Sequence, residues 1–529
     1  MGRKELAYIL ILIFLSLFLF TFKLGEPSLF ETDEYIYTKL AKEIVETGDW
    51  LTLHLDGREW FIHPPLYMWL TALAGSLFGF SEFIARIWCA LFGVGLVLVT
   101  YLLGKKLFNQ RAGFLAGLIL ATSFQYIIQS RLAIFDIPLI FFITLAVFFF
   151  FSAYTSQQKN LYYLFYLSMG FGVLTKGPIA AVLPIFIILV YIVLRKEFNV
   201  FKEAKILSGL LVTLIVGGSW YFAELLLHGR EFWDTAIGYY TLGRYFGVVE
   251  THAGPVWFYI PIIFFGFLPW TAFVPASLAF LFKDRKRKES FFLFVWVTFV
   301  FVFFSLGRTK LPGYIMSVYP FLALSLAATF DHYMSFRDEN FIRRWMQASF
   351  FLLLIIAFAL IFFSWYISWN PLVAQYQKLA AGLIPILIAI GVGGVASSSL
   401  YLSLRRIDVP IAMLSLSMAI FLIFFTTSTV PAIEEYKPMR PLARKIASLA
   451  TSKDLIVGYK TLYKMSYEFY LEQKIKWIEN ERDLLRLTRS KTKLYCLIGE
   501  KAYERLKAEL SPYTIIIDKK ADIYLLSTK

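Results

Sequence analysis

The stretch Pro64-Pro65-Leu66-Tyr67-Met68-Trp69-Leu70-Thr71-Ala72-Leu73-Ala74-Gly75-Ser76-Leu77-Phe78-Gly79-Phe80 decides how the rest of the chain is threaded. It is apolar enough to enter a bilayer but short for a helix that must cross a hydrocarbon core of about 30 Å. Suppose that it lies at the surface or dips in and returns. Alternate loops then collect the basic residues: Arg3/Lys4, Lys105/Lys106/Arg111, Lys159, Arg195/Lys196/Lys202/Lys205, Lys283/Arg285/Lys286/Arg287/Lys288, Arg337/Arg343/Arg344 and Arg405/Arg406. The opposite short loops hold only isolated cations, namely Arg131, Lys176, Arg230, Arg244, Arg308, Lys310 and Lys378. A full crossing by 64–80 would invert this sorting after the first loop. The positive-inside rule therefore predicts about thirteen spans, with the N-terminus inside and the C-terminus outside.

Composition points the same way. Of 529 residues, 58% are hydrophobic, 17% are charged and 19% are aromatic, which marks a polytopic α-helical membrane protein and excludes a large soluble core. The expected spans are roughly 5–23, 84–104, 112–130, 134–154, 161–175, 178–194, 205–226, 256–282, 290–306, 312–330, 346–369, 379–402 and 409–430. The first is read as a retained span, because Lys23-Leu24-Gly25-Glu26 offers no small-residue cleavage site. The net charge of +15 reflects inner loops and anionic headgroups, and no nucleic-acid partner is expected. Two cysteines, Cys89 and Cys496, support neither a disulfide framework nor a zinc site.

After Pro431 charges return, and short β-rich runs at 454–459, 476–478, 493–498, 513–518 and 522–526 alternate with helical stretches such as 440–450 and 500–510. The chain thus divides into a transmembrane part, 1–430, and a small α/β soluble domain, 431–529, on the outer side. No Gly-rich phosphate fingerprint occurs in that tail.

The same topology gathers the chain's scattered polar motifs on the outer face. Glu31-Thr32-Asp33-Glu34-Tyr35-Ile36-Tyr37 opens a segment with Ile36, Leu40, Ala41, Ile44 and Val45 at helical spacing, an amphipathic helix on the membrane with Thr32 as a candidate N-cap. Acids there complement the helix dipole. A carboxylate at this level could also take a proton from an acceptor or hold a divalent cation. In Phe61-Ile62-His63-Pro64-Pro65-Leu66-Tyr67, His63 precedes a tandem proline that fixes an extended entry into the next helix. Arg131-Leu132-Ala133-Ile134-Phe135-Asp136 is a short turn in which the two charges could pair, although an acid opening a span is often functional.

Lys176 in Leu174-Thr175-Lys176-Gly177-Pro178, and Arg308 and Lys310 in Arg308-Thr309-Lys310-Leu311-Pro312-Gly313-Tyr314, place cations at the mouths of spans. One such lysine is ordinary snorkelling, whereas several on one face suit phosphate. His252 could join a carboxylate on a metal, but five histidines in the chain argue against a dedicated zinc cage. The long outer loop 228–255 has the length of a lid.

Taken together, an outer Asp-Glu, His-Pro-Pro-Leu, a second Asp opening a span, Leu-Thr-Lys-Gly-Pro and Lys-Leu-Pro-x-Tyr resemble the type-C integral-membrane glycosyltransferases of the protein-mannosyltransferase/aminoarabinose-transferase superfamily over about residues 5–430. The resemblance implies the GT-C fold, with a juxtamembrane catalytic segment at about 24–83. It also implies inverting transfer from a polyprenyl-phosphate-sugar (undecaprenyl phosphate) donor on the periplasmic face of the bacterial inner membrane. Nearest is the lipid A aminoarabinose transferase group, which implies 4-amino-4-deoxy-L-arabinose or a similar sugar and lipid A as acceptor.

On this resemblance Asp33 is the leading catalytic candidate, with Asp136 supporting it and Glu34 as the weaker half of the acid pair. Tyr37, His63, Arg131, Lys176, Arg308, Lys310 and Tyr314 are candidates for the donor phosphate or lipid. The resemblance names no certain cofactor; a divalent metal is left open, with His252 a weak candidate. Three positions depart from the aminoarabinose branch, which tends to have Arg where Ile36 stands and Glu-Lys where Ile62-His63 stands. These bear on which sugar is moved. Protein mannosyl transfer and galacturonic acid transfer use the same donor class and are the alternatives. A transporter would place ionisable groups near the bilayer midplane, and only Glu224, close to the outer end of its span, approaches that pattern.

Overall fold

Uninterrupted Phe/Leu/Ile/Val runs cannot leave backbone polar groups open in lipid, so they close on themselves as helices. The structure, a computed structural model, describes residues 2–29, 33–156, 158–243, 254–337, 339–370, 377–461, 464–471, 473, 475–490 and 492–529. Among the described residues, eight helices are long and apolar enough to cross a membrane, or ten when each of two bent pairs counts as one. The bent pairs are Ile206–Gly217 with Ser219–Tyr240, at 56°, and Val256–Gly266 with Trp270–Lys283, at 116°. The expected spans 205–226 and 256–282 are therefore broken. Gly217-Gly218 marks the first break and Pro269 lies at the second.

The expected span 112–130 is also interrupted, into Gln110–Ala121 and Phe124–Gln129. The hydroxyls of Thr122 and Ser123 donate back to the carbonyls of Leu118 (2.6 Å) and Ile119 (2.7 Å), competing with the helix ladder. The two remaining expected spans, 161–175 and 178–194, coincide with helices Leu161–Lys176 and Ile179–Arg195.

The deciding stretch forms a helix of 13 residues, Leu66–Phe78. At about 1.5 Å per residue its length is roughly two thirds of the thickness of the hydrocarbon core, short of a crossing. Its near end is pinned: Trp69 Nε1 donates to Trp50 O at 2.5 Å and Tyr67 Oη donates to Ala85 O at 2.8 Å. Its far end is apolar and exposed at Leu73, Leu77 and Phe78. The chain then turns at Gly79 and begins the long helix Glu82–Leu107, capped by the Ser81 side chain. A helix too short to cross, followed within four residues by Glu82 in contact with Arg440 of the tail, agrees with the charge sorting, which required only that 64–80 not cross.

Helix packing uses small residues and stacked rings. Gly104 of Glu82–Leu107 lies so close to Gly113 of Gln110–Ala121 that an added Cβ would stand 2.8 Å from the Gly113 Cα, the close backbone approach typical of helices in lipid. Trp296 stacks on Phe321 at 3.9 Å and Phe350 on Tyr401 at 4.0 Å.

The tail builds a five-stranded mixed sheet in the order Lys476–Ile478, Leu455–Tyr459, Leu494–Gly499, Ile523–Thr528, Thr514–Lys520. The first three strands are parallel, and the last two are added antiparallel. Alternate strand residues point to opposite faces. Ile456, Tyr495 and Leu497 pack with helix Met439–Leu449, whereas Val457, Cys496 and Ile498 pack with helix Glu500–Leu510. This domain sits on the juxtamembrane helix Asp33–Thr47: Lys39 Nζ meets Glu468 at 2.9 Å, the Tyr35 ring meets Phe469 edge-on, and Tyr470 Oη accepts from the Leu29 amide at 3.0 Å.

Candidate active site

Helix Asp33–Thr47 opens with its two acids, and they go different ways. Asp33 is exposed in the first turn, whereas Glu34 is buried. The expected cap Thr32 lies outside the described residues. Glu34 receives a two-pronged ion pair from Arg86, with Nε to Oε1 at 2.7 Å and Nη2 to Oε2 at 2.8 Å, and it also accepts the Ala133 amide at 2.7 Å. Arg86, which the sequence reading passed over, is 1% exposed. Its other donors go to the carbonyls of Leu24 (3.0 Å), Pro27 (2.7 Å) and Ser28 (3.0 Å), so all five of its N–H groups are used. One signal could have found it: an arginine one turn inside an apolar run must meet a carboxylate.

Tyr37 lies one turn beyond Asp33 on the same helix face. Its ring packs on Phe135 at 4.4 Å and faces His63 at 6.2 Å, and His63 packs on Phe135 at 4.5 Å. Through these rings the face that carries Asp33 meets the turn that ends in Asp136.

Asp136 begins helix Asp136–Ser156, and Lys176 ends helix Leu161–Lys176. Lys176 Nζ donates to Asp136 Oδ1 at 2.5 Å, and both side chains are half-buried. The Lys176 ammonium also lies 5.3 Å from the Phe135 ring and 5.5 Å from the Tyr314 ring. Two glycines make room for the pair. Gly177, at φ +97°, turns the chain immediately after Lys176, and an added Cβ would sit 3.0 Å from Tyr221 Oη. Gly313 has no side chain where a Cβ would stand 3.2 Å from the Asp136 carboxyl carbon.

Asp136, Lys176, His63, Thr309 and Tyr314 line a cavity of about 180 Å³ whose remaining wall descends into the membrane helices through Leu139, Ile140, Ile143, Ile179, Leu183 and Phe303. A charged pair at the mouth of an apolar slot is the shape of an amphipathic ligand: a phosphate level with the charges and a hydrocarbon below. Tyr221 and Tyr240, from the bent pair, close one side. The sequence did not mark Tyr221, whereas Tyr240 falls in the loop 228–255 read there as a lid.

Other candidate cations are engaged elsewhere. Lys310 Nζ donates to the carbonyls of Phe304 (3.0 Å), Ser305 (2.6 Å) and Gly307 (2.5 Å), closing the end of helix Lys288–Leu306. Burial holds its ammonium below the usual lysine range. Arg131 does not pair with Asp136; it donates to Leu19 O (3.1 Å) and Phe22 O (2.7 Å) at the end of helix Arg3–Thr21. Both helices end beside these cations, whose N–H groups satisfy the orphan carbonyls there. Arg308 is exposed on the same loop and does not line the cavity.

His252 lies outside the described residues. Among the described residues, no three His, Cys, Asp or Glu side chains gather to hold a metal ion.

Comparison with known proteins adds lineage to this geometry. Residues 62–221 match the family model described as dolichyl-phosphate-mannose-protein mannosyltransferase. The chain is 27% identical over 461 residues to an uncharacterized protein of Aquifex aeolicus (strain VF5), covering 87% of this chain and 86% of that one. It is 31% identical over 330 residues to undecaprenyl phosphate-alpha-4-amino-4-deoxy-L-arabinose arabinosyl transferase 1 of Pseudomonas fluorescens, over 60% of this chain and 59% of the relative. That match spans less than two thirds of the arabinosyl transferase's own length.

By structure, the chain is similar to ArnT from Cupriavidus metallidurans bound to undecaprenyl phosphate, with a TM-score of 0.83 at 20% identity, covering 98% of both chains. It is more distantly similar to the oligosaccharyltransferase AglB of Archaeoglobus fulgidus, with a TM-score of 0.53 at 14% identity, covering 96% of this chain and 71% of that one. With a family match around its central motifs and a fold shared from end to end with ArnT, the chain has the GT-C fold and is similar to the type-C integral-membrane glycosyltransferases.

Proposed function

We propose that the chain transfers a sugar, 4-amino-4-deoxy-L-arabinose or one like it, from undecaprenyl phosphate to lipid A at the periplasmic face of the inner membrane. The observation that carries this reading is the Asp136–Lys176 pair standing at the polar end of an apolar slot. Relatives named as arabinosyl transferases and the ArnT fold support it. In this reading the chain crosses the membrane thirteen times, divides at about residue 430, and keeps its soluble domain outside.

The anomeric carbon–oxygen bond to the lipid phosphate breaks, and a bond forms from that carbon to an acceptor oxygen on the opposite face. The bonding electrons leave with the undecaprenyl phosphate, whose growing charge is met by the Lys176 ammonium. Asp136 fixes that ammonium in place and, with Phe135 and Tyr314, holds it at the cavity mouth. Asp33 takes the proton when the acceptor is a hydroxyl. When the acceptor is a phosphate, already ionised at neutral pH, Asp33 orients it. Glu34, engaged by Arg86 and the Ala133 amide, anchors the helix that presents Asp33.

A protein acceptor is the second reading, favoured by the mannosyltransferase family model and by His63 at the cavity wall. The two readings are separated by mass spectrometry of lipid A and of secreted glycoproteins from cells with and without the protein. A sugar-sized mass change in lipid A supports the first reading, and a change in glycopeptides with unaltered lipid A replaces it with the second.

A further inference from the structure

The soluble domain has no part in the chemistry above, yet its contacts with the membrane part crowd around the segment that carries Asp33. Phe469 meets the Tyr35 ring edge-on and packs against Leu29, Ala85 and Ala133, which come from three separate stretches of the membrane part. The Tyr470 hydroxyl accepts from the Leu29 amide at 3.0 Å and donates to Glu82 at 3.3 Å, while its ring rests on the domain's own core. Arg440 reaches the same Glu82 oxygen at 3.1 Å, and Glu434 accepts from the Ser28 hydroxyl at 2.9 Å. Beyond Asp33, Glu468 meets Lys39 at 2.9 Å. The domain therefore grips the chain at residues 28 and 29 and again at residues 35 and 39, with Asp33 between the two grips.

An exposed carboxylate is placed by the backbone that carries it. Asp33 is exposed in the first turn of its helix, and helix ends fray unless they are tied down. From the membrane part, that turn is tied through Glu34 to Arg86 and the Ala133 amide. From the tail, Phe469 and Tyr470 back the same anchor. Phe469 packs on Ala133 itself and on Ala85, next to Arg86, and Tyr470 holds Leu29, next to the Ser28 carbonyl that Arg86 binds. A displacement of about 1 Å at a reacting group costs up to about a hundredfold in rate, so this backing bears on turnover.

We infer that the soluble domain is a working part of the transferase, with Phe469 and Tyr470 as positioning residues for Asp33. The inference rests on the transferase reading above, in which Asp33 serves the acceptor. Neither residue touches substrate; they act through Leu29, Tyr35 and Ala133.

The test gives full-length protein in phosphatidylcholine nanodiscs undecaprenyl-phosphate-linked 4-amino-4-deoxy-L-arabinose and lipid A. It reads kcat and the donor KM beside Tm and hydrogen–deuterium exchange. Tyr470→Phe removes only a hydroxyl and should lower kcat about fivefold, the worth of one neutral hydrogen bond. Phe469→Ala should lower it about ten- to a hundredfold. In both, exchange should rise in residues 33–37, and the donor KM should hold because the Asp136–Lys176 pair is untouched. Leu506→Ala is the control: Leu506 packs in the core on the opposite face of the sheet, so this variant should lower Tm more than Tyr470→Phe does and keep the wild-type kcat. If Phe469→Ala melts below the assay temperature, Tyr470→Phe carries the result. Wild-type kcat in Tyr470→Phe overturns the inference. An equal loss of kcat in Leu506→Ala also overturns it, since the tail would then act only through its stability. No transfer by the wild-type protein overturns the reading on which the inference rests, whereas transfer that neither Phe469→Ala nor Tyr470→Phe slows overturns the inference alone.

Discussion

Arg86 and Glu34 tie the start of the juxtamembrane helix to the membrane helix Glu82–Leu107 through paired contacts of 2.7 and 2.8 Å. Both residues are buried, at 1% and 2% exposure. A pair removed from water this fully is retained only with every hydrogen bond made, and here the guanidinium's remaining donors go to carbonyls of the 24–28 segment. The acid pair that opens the helix is therefore one buried anchor and one exposed carboxylate.

Removing one partner leaves the other charged, buried and unmatched. Glu34→Gln should lower stability by about 3 kcal/mol, seen as a fall in Tm in detergent. Asp33→Asn, one residue away and exposed, should keep the wild-type Tm and abolish transfer. Equal melting of the two variants, or turnover in Asp33→Asn, would reverse the assignment of roles.

Lys176→Met deletes the ammonium at the cavity mouth. A charge-assisted hydrogen bond is worth about 1.5–3 kcal/mol, so kcat/KM for the undecaprenyl-linked donor should fall at least tenfold. Asp136→Asn should fall by a comparable factor, and the double variant should lose little more than either single one, because the pair acts as a unit. Additive losses in steady-state kinetics would show that the two act separately.

Lys310→Met should behave unlike Lys176→Met. Its ammonium closes a helix end, so the expected loss is about 1–2 kcal/mol of stability, with the donor KM unchanged. A raised donor KM at unaltered Tm would instead place Lys310 on the phosphate.

Lys39 connects the juxtamembrane helix to the soluble domain through Glu468, and it also reaches Asp56. Burial pulls its pKa down, but hydrogen bonds to Asp56 and Glu468 outweigh that and hold it above the usual lysine range. A raised pKa means the contribution is complete below the unfolded value, about 10.4, and is lost only as pH climbs through the folded value. The Lys39 contribution to docking should therefore be flat from pH 6 to 9. Lys39→Met should increase amide exchange in Lys464–Tyr470 throughout that window, measured by hydrogen–deuterium exchange.

The proposed topology has a direct check. A reporter that is active only outside the cytoplasm, fused after Tyr436, should be active, and one that works only inside should be silent.

The membrane helices and the tail's sheet were legible in the sequence because each obeys a rule that neighbours in the chain settle. Lipid demands long apolar runs, and a sheet covered on both faces demands short, strongly apolar strands. The breaks at Thr122-Ser123 and Gly217-Gly218 were less legible, since such pairs also occur inside straight helices. The cations of the candidate site resembled one another along the chain. Lys176, Lys310 and Arg131 all follow or end helices that reach the same face, where a phosphate and a row of orphan carbonyls attract them equally.

The sequence by itself determined which segments form membrane helices, that the tail forms a sheet, and the superfamily the motifs resemble, because hydropathy and motif order are one-dimensional. Tertiary structure alone decided where each member of a polar group goes. Asp33 and Glu34 are adjacent, yet about 100° of helical turn separates their side chains. That turn sends one to Arg86 inside the protein and leaves the other at the surface. Partners such as Glu34 and Arg86, or Asp136 and Lys176, lie far apart in the chain, and only packing brings a charge to the counter-charge that settles its role.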